Sequence, residues 1–155
     1  MKVYHGSNLV VRNPMIVKTD YTKDFSWGFY TTTIISQAER WAHRRAQRDD
    51  GIPHINTYEF TPAPELEILE FESTTEAWLD FIALCRNGGT HKYDIVIGPM
   101  ADDEIWNKVE DYLAGEISKE EFLIAAKFKH PTHQISFHTI AALDSLKFIK
   151  GDEVE

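Results

Sequence analysis

Gly28-Phe29-Tyr30-Thr31-Thr32 is a short aromatic and β-branched run, and just beyond it Ser36-Gln37-Ala38-Glu39 opens a segment of a different period. In that second segment Ala38, Trp41, Ala42 and Arg45 recur at i, i+3, i+4 and i+7, the spacing of one helix face. The Ser hydroxyl and the Glu carboxylate of a capping box each satisfy an orphan backbone donor, so a helix is expected from about 37 to 48. A strand at 28–32 therefore feeds directly into a helix.

Working outward, Val3-Tyr4-His5, Thr57-Tyr58-Glu59-Phe60, Asp94-Ile95-Val96-Ile97, Gln134-Ile135-Ser136-Phe137-His138 and Leu146-Lys147-Phe148-Ile149 carry strand signals. Ser73-Thr74-Thr75-Glu76 is a second capping pattern, ahead of the apolar run Ala77–Leu84 that Gly88-Gly89 stops. Asp102-Asp103 precedes a third helix closed by Gly115, and Ser118-Lys119-Glu120-Glu121 opens a fourth through about Phe128. Helices do not fall between every pair of strands, so the expected class is α+β rather than a doubly wound sheet. The length of 155 residues suits one domain spanning 1–155.

Composition narrows the function classes. Hydrophobic residues at 43% and charged residues at 26% are ordinary for a globular chain, which argues against disorder. No apolar run approaches the roughly 18 residues needed to span a bilayer, and the N-terminus is no signal peptide. The single cysteine, Cys85, leaves no internal disulfide or CxxC metal site and reads as a buried small hydrophobe. The expectation is a cytoplasmic protein with no membrane partner.

The net charge of −9 is uneven: residues 1–60 hold eight basic and six acidic side chains, while residues 61–155 hold eight and 19. An acidic body does not suit a general nucleic-acid binder, whose affinity rests on phosphate neutralisation. The first 60 residues also hold nine of the 19 aromatics, so a small anionic ligand is best sought there.

Two stretches in that part carry chemistry. Tyr4-His5-Gly6-Ser7 can present a ring nitrogen, bare backbone and a hydroxyl to one ligand, the missing Cβ of Gly6 allowing close approach. The alternative for His5 is a hydrogen-bonded structural residue. In Asp24-Phe25-Ser26-Trp27-Gly28-Phe29-Tyr30-Thr31-Thr32 and the helix after it, the faces of Tyr30 and Trp41 can sandwich a flat ring, or both can fill the core.

Taken together, His5-Gly6-Ser7, then Gly28-Phe29-Tyr30-Thr31-Thr32 and an aromatic eleven residues after the Tyr, resemble the diphtheria-toxin and poly(ADP-ribose) polymerase branch of the ADP-ribosyltransferases. That branch is marked by a His-Tyr-Glu triad, and the specific resemblance covers roughly residues 3–46. Gly98-Pro99-Met100-Ala101-Asp102-Asp103 and a Gln-containing late strand are similar to a small, poorly characterised bacterial group of such transferases.

The resemblance implies an ADP-ribosyltransferase-like split sheet and an NAD-dependent enzyme that cleaves the nicotinamide glycosidic bond, with NAD as co-substrate and no metal. It implies catalytic roles for His5, Tyr30 and the residue at the third triad position, and cofactor binding by His5, Gly6, Ser7, Gly28, Tyr30, Thr31 and Trp41. Thr31 and Thr32 would line the pocket floor. The loop from about Arg12 to Phe25 would lie over the dinucleotide, with Arg12 or Lys18 at the pyrophosphate. It further implies a macromolecular acceptor, protein or nucleic acid, and a bacterial toxin-antitoxin or phage-defence setting with an antitoxin as partner.

The pattern departs at its third element, where Gln134 stands in place of the catalytic Glu. An amide keeps a hydrogen bond but brings no charge, and losing one such contact costs about 10² to 10³ in rate. Glu59, Asp102 and Asp103 are the carboxylates considered as substitutes, with a binding module or an NAD glycohydrolase as the alternative functions. His130-Pro131-Thr132-His133 with His138 has a loosely metal-like spacing that Pro131 breaks, and Arg44-Arg45 with Arg48 reads as a solvated helix face or a phosphate contact.

Overall fold

The computed structural model describes residues 1–19, 23–127 and 132–155. Strands β1 (Lys2–Ser7), β3 (His54–Phe60) and β7 (Leu146–Glu153) form an antiparallel sheet in the order β1-β3-β7. Strands β2 (Phe29–Thr31), β6 (Gln134–Phe137), β5 (Ile95–Gly98) and β4 (Ile68–Glu70) form a second sheet in the order β2-β6-β5-β4. Among the strands of the described residues only β4 and β5 run parallel. The helices are α1 (Ile35–Asp49), α2 (Glu76–Arg86), α3 (Asp103–Leu113), α4 (Lys119–Lys127) and the short α5 (Ile140–Leu143). The fold class is α+β.

Strand alternation explains the layering. On β5, Ile95 faces a cluster with Val3, Phe29, Tyr58, Phe60, Ile135 and Phe137 between the two sheets. Its neighbour Val96 points the other way, into Trp78, Leu79, Ile82, Ile105, Val109 and Phe122 beneath α2, α3 and α4. Burying such side chains stabilises the fold by roughly 1.5–3 kcal/mol each, so the four-stranded sheet is held from both faces. Cys85 is buried in α2 and its thiol is pushed up to about 12 by that burial, as a small hydrophobe requires. Among the described residues no helix is long and apolar enough to cross a membrane.

The helix starts follow the capping chemistry with two differences. Ser118 and Glu121 form the expected reciprocal box at 3.1 and 3.3 Å, and Asp102 caps α3 by accepting from Ile105 N–H at 2.9 Å. Thr75, not Ser73, caps α2. Helix α1 begins at Ile35, before Ser36, so that serine caps nothing. Thr32 Oγ1 accepts the Ile34 N–H at 3.0 Å instead, because a hydroxyl at the end of β2 already points at the turn.

What matters for function is where the sheets meet. Tyr4 and Thr32 exchange both backbone bonds, at 2.8 and 2.9 Å, in an isolated bridge between β1 and β2. Beyond that bridge the two strands part, β1 staying with β3 and β2 with β6. Helix α1 lies directly on β1 across Gly6, where an added Cβ would stand 2.1 Å from the Ala38 carbonyl and 2.6 Å from the Ala42 nitrogen. Only glycine permits that approach.

Candidate functional site

A cleft of about 460 Å³ opens where β1 and β2 diverge, within the roughly 300–1,000 Å³ usual for small-molecule sites. Its lining includes His5, Gly6, Tyr30, Trp41 and Gln134 from β1, β2, α1 and β6, together with Met100, Ala101 and Asp102 from the segment after β5. Its cations are Lys23, Arg44, Arg45, Arg48 and Arg86. Set against Asp24 and Asp102 in the same lining, these leave a net positive charge in a chain of net charge −9, suited to an anionic ligand.

His5 and Tyr30 are coupled through the parting strands. His5 Nδ1 lies 2.6 Å from the Tyr30 carbonyl, which can only accept, so Nδ1 carries the proton and Nε2 is left as an acceptor. Desolvation against the core, where the ring sits 4.2 Å from Phe29, holds the His5 pKa at about 4 and the ring neutral. Gly6 contributes main chain. Tyr4 directs its N–H and C=O to Thr32, and two residues on Gly6 directs its own the same way, into the opening gap.

Tyr30 offers a face rather than a hydroxyl. Its O–H donates to the Ser26 carbonyl at 2.6 Å and accepts the Phe25 N–H at 3.0 Å. Burial raises the phenol pKa well above its ordinary value, so no proton is exchanged there. The ring carries the Lys23 ammonium 4.9 Å from its centroid. Desolvation of that ammonium, and after it the nearby Arg45 and Arg48, lower the Lys23 pKa. Ser26 adopts φ 76° to turn its carbonyl toward Tyr30, a left-handed conformation that costs a serine of order 1 kcal/mol.

Gln134 is buried, and its amide orientation is fixed by chemistry. Nε2 lies 3.0 Å from Asp24 Oδ2 and 3.4 Å from the Pro99 carbonyl, and both of these accept. The NH₂ must face them, which leaves Oε1 as the free acceptor edge of the amide. Asp24 is itself buried. Its Oδ1 receives Arg86 Nε at 2.9 Å and Nη2 at 2.5 Å, and its Oδ2 also receives the Ala101 N–H at 2.8 Å. The Arg86 guanidinium in turn lies 4.3 Å over the Trp106 ring.

Of the residues expected from sequence, His5, Gly6, Tyr30, Trp41 and Gln134 line one cleft. Ser7, Gly28 and Thr31 do not. Thr31 Oγ1 donates to the Ile135 carbonyl inside the sheet, and Thr32 Oγ1 caps the α1 turn and accepts from Gln37. Gly28 is small because a Cβ would collide with His138 and the Phe137 carbonyl. Ser7 Oγ bonds Asn8.

Arg12 stacks on Phe148 and Lys18 lies near Trp27, so the cations at the cleft are those of α1, α2 and Lys23 instead. Glu59 pairs with the N-terminal ammonium at 2.6 Å, away from the cleft. Asp102 lines it but spends Oδ1 on its helix cap, and the Asp103 side chain lies outside the described residues. His130 and Pro131 lie outside them too; among the described residues no His/Cys/Asp/Glu group of three is arranged to hold a metal.

Sequence reasoning missed Asp24 and Arg86. Asp24 sits in a polar loop with no periodicity, 110 residues from the amide it bonds. Arg86 did leave a signal, as the first cation after the apolar run of α2.

The family model described as "Protein of unknown function (DUF3990)" matches residues 1–148, and the chain belongs to that family. No curated protein matches it.

Proposed function

We propose that the chain is an NAD-dependent ADP-ribosyltransferase with the corresponding split-sheet fold, and that the cleft binds NAD. The observation that carries this reading is the convergence of His5, Gly6, Tyr30, Trp41 and Gln134, from four separate elements, on one cation-rich cleft. The Gly6 main chain pairs with the nicotinamide carboxamide, the Tyr30 face and Trp41 take its ring, and His5 Nε2 accepts from a ribose hydroxyl. Arg44, Arg45 and Arg48 on α1 meet the pyrophosphate.

Gln134 Oε1 accepts from the hydroxyl of the nicotinamide ribose. As the bond from the ribose anomeric carbon to the ring nitrogen breaks, its electron pair leaves with nicotinamide, which becomes neutral. The ribose carries the positive charge until an acceptor nucleophile adds and loses its proton. The acceptor is a macromolecule, and the setting that fits a small transferase of this kind is a bacterial toxin held by an antitoxin.

Purified protein is expected to release nicotinamide from NAD, and NAD is expected to raise its melting temperature. Mass spectrometry of extract components exposed to protein and NAD identifies the acceptor. If saturating NAD is neither bound nor consumed, the reading is wrong. The uncharged amide of Gln134 favours one alternative, an NAD or ADP-ribose binder without turnover, and binding without nicotinamide release would select it.

A further inference from the structure

We propose that Asp24 is a positioning residue for the reaction, supplying through Gln134 the negative charge that an amide lacks. This rests on the transferase reading above. The side chains are arranged as a relay. Asp24 Oδ2 accepts from Gln134 Nε2 at 3.0 Å, and the Pro99 carbonyl accepts from the same nitrogen at 3.4 Å. Two acceptors on one amide NH₂ draw the nitrogen lone pair into the amide bond and concentrate electron density on Oε1, the atom that faces the reacting ribose.

The two oxygens of Asp24 are divided between tasks. Oδ1 is held by the Arg86 fork, whose guanidinium is itself fixed over Trp106, while Oδ2 serves the Ala101 N–H and Gln134. Arg86 thus sets the rotamer by holding Oδ1, and the other oxygen is the one turned to Gln134. The Arg86 guanidinium offsets part of the carboxylate charge, and the buried surroundings keep solvent from screening what Oδ2 presents to Gln134. Position 134 needs no carboxylate because position 24 provides one.

Relocating the charge tests this. Asp24→Asn, Gln134→Glu and the double variant are compared with the wild type for melting temperature, NAD affinity and the rate of nicotinamide release. Asp24→Asn is expected to lose about 10²–10³ in kcat while binding NAD within threefold, the size of one lost electrostatic contact. The double variant, with its carboxylate moved to 134, is expected to regain at least tenfold.

An Asp24→Asn kcat within threefold of wild type overturns the proposal, and so does a folded double variant no faster than Asp24→Asn. If Asp24→Asn does not fold, Gln134→Glu alone carries the test. Its two carboxylates must share a proton, so its kcat acquires an ionisation absent from the wild type, and a pH profile identical to wild type overturns the proposal. A wild type that neither binds NAD nor releases nicotinamide takes down the transferase reading and this inference together, whereas wild-type turnover with an unaffected Asp24→Asn removes the inference alone.

Discussion

Two histidines flank Tyr30 and look alike by chemistry. His5 Nδ1 donates to the Tyr30 carbonyl at 2.6 Å, and His138 Nδ1 donates to the Trp27 carbonyl at 2.8 Å. Burial is the main cause that holds each at about 4. The difference lies at the second nitrogen. His138 Nε2 meets the fully buried Ser136 Oγ at 2.7 Å, and the His138 ring has His91 as its neighbour at 4.4 Å.

A serine and a histidine at that distance have the look of a nucleophile and its base, but the Ser136 hydroxyl is fully buried and also lies 3.3 Å from the Val96 carbonyl. They fasten the 25–27 turn, with His91 Nε2 on the Phe25 carbonyl at 2.8 Å as a second tie. His5 turns the same kind of ring toward a cleft. What separates the two rings is what the second nitrogen meets, Ser136 Oγ for His138 and the cleft for His5, not the identity or the protonation of the residues.

The largest expected contrast comes from removing each ring. His5→Ala is expected to lower nicotinamide release by about 10² or more, because the proposed ligand contact goes, and to cost stability as well, because the Tyr30 carbonyl loses its partner. His138→Ala is expected to lose about 2–4 kcal/mol of stability, since Ser136 and the Trp27 carbonyl lose their partner in the core, with the rate per folded molecule unchanged. Chemical denaturation and single-turnover kinetics on both variants decide whether the division holds.

Acid tests what the two rings share. Their folded pKa of about 4 lies below the ordinary 6.5, so unfolding takes up protons between those values. Stability is therefore full above about pH 6.5 and falls as the pH drops toward 4, by a few kcal/mol for the pair. Denaturant melts across that window should lose their slope in part in each single variant.

The smallest effect is expected at the residue between them. Tyr30→Phe keeps the ring and removes the hydroxyl bonded to Ser26 and Phe25, costing about 1–2 kcal/mol of stability while NAD affinity stays within threefold. Titration of both proteins with NAD, followed by thermal shift, checks it.

Parts of this design were legible in the residue order and parts were not. Short runs dense in β-branched and aromatic side chains, such as Phe29–Thr31 and Gln134–Phe137, announce buried strands because both of their faces must be apolar or hydrogen-bonded. Ile68–Glu70 is three residues long and pairs in parallel with a strand that follows a whole helix, so nothing local marks it. The polar end of β7, through Lys150-Gly151-Asp152, is held by the ladder to β3 rather than by its own pattern.

At the site, His5 stood out beside Gly6, whereas Tyr30 and Trp41 fitted a core as well as a ring sandwich and gained their role from the resemblance alone. The carboxylate was invisible, since Asp24 acquires its meaning from Arg86 and Gln134, 62 and 110 residues away. The arginines of α1 gave the pattern of an exposed helix edge, and only the position of Gly6 under Ala38 and Ala42 brings that edge to a cleft.

The Lys23 ammonium resting on the Tyr30 ring has a consequence for how a reaction cycle would end. On the proposed reading, a face that already attracts a cation would receive the pyridinium of NAD by exchanging one positive charge for another. Once the glycosidic bond breaks, nicotinamide is neutral and the attraction, roughly 0.5–2 kcal/mol, is gone. The same loss raises the barrier by up to that amount, which a strong acceptor at Gln134 has to offset. After cleavage Lys23 would be the better occupant, and its return would displace the leaving group and reset the ring for the next dinucleotide.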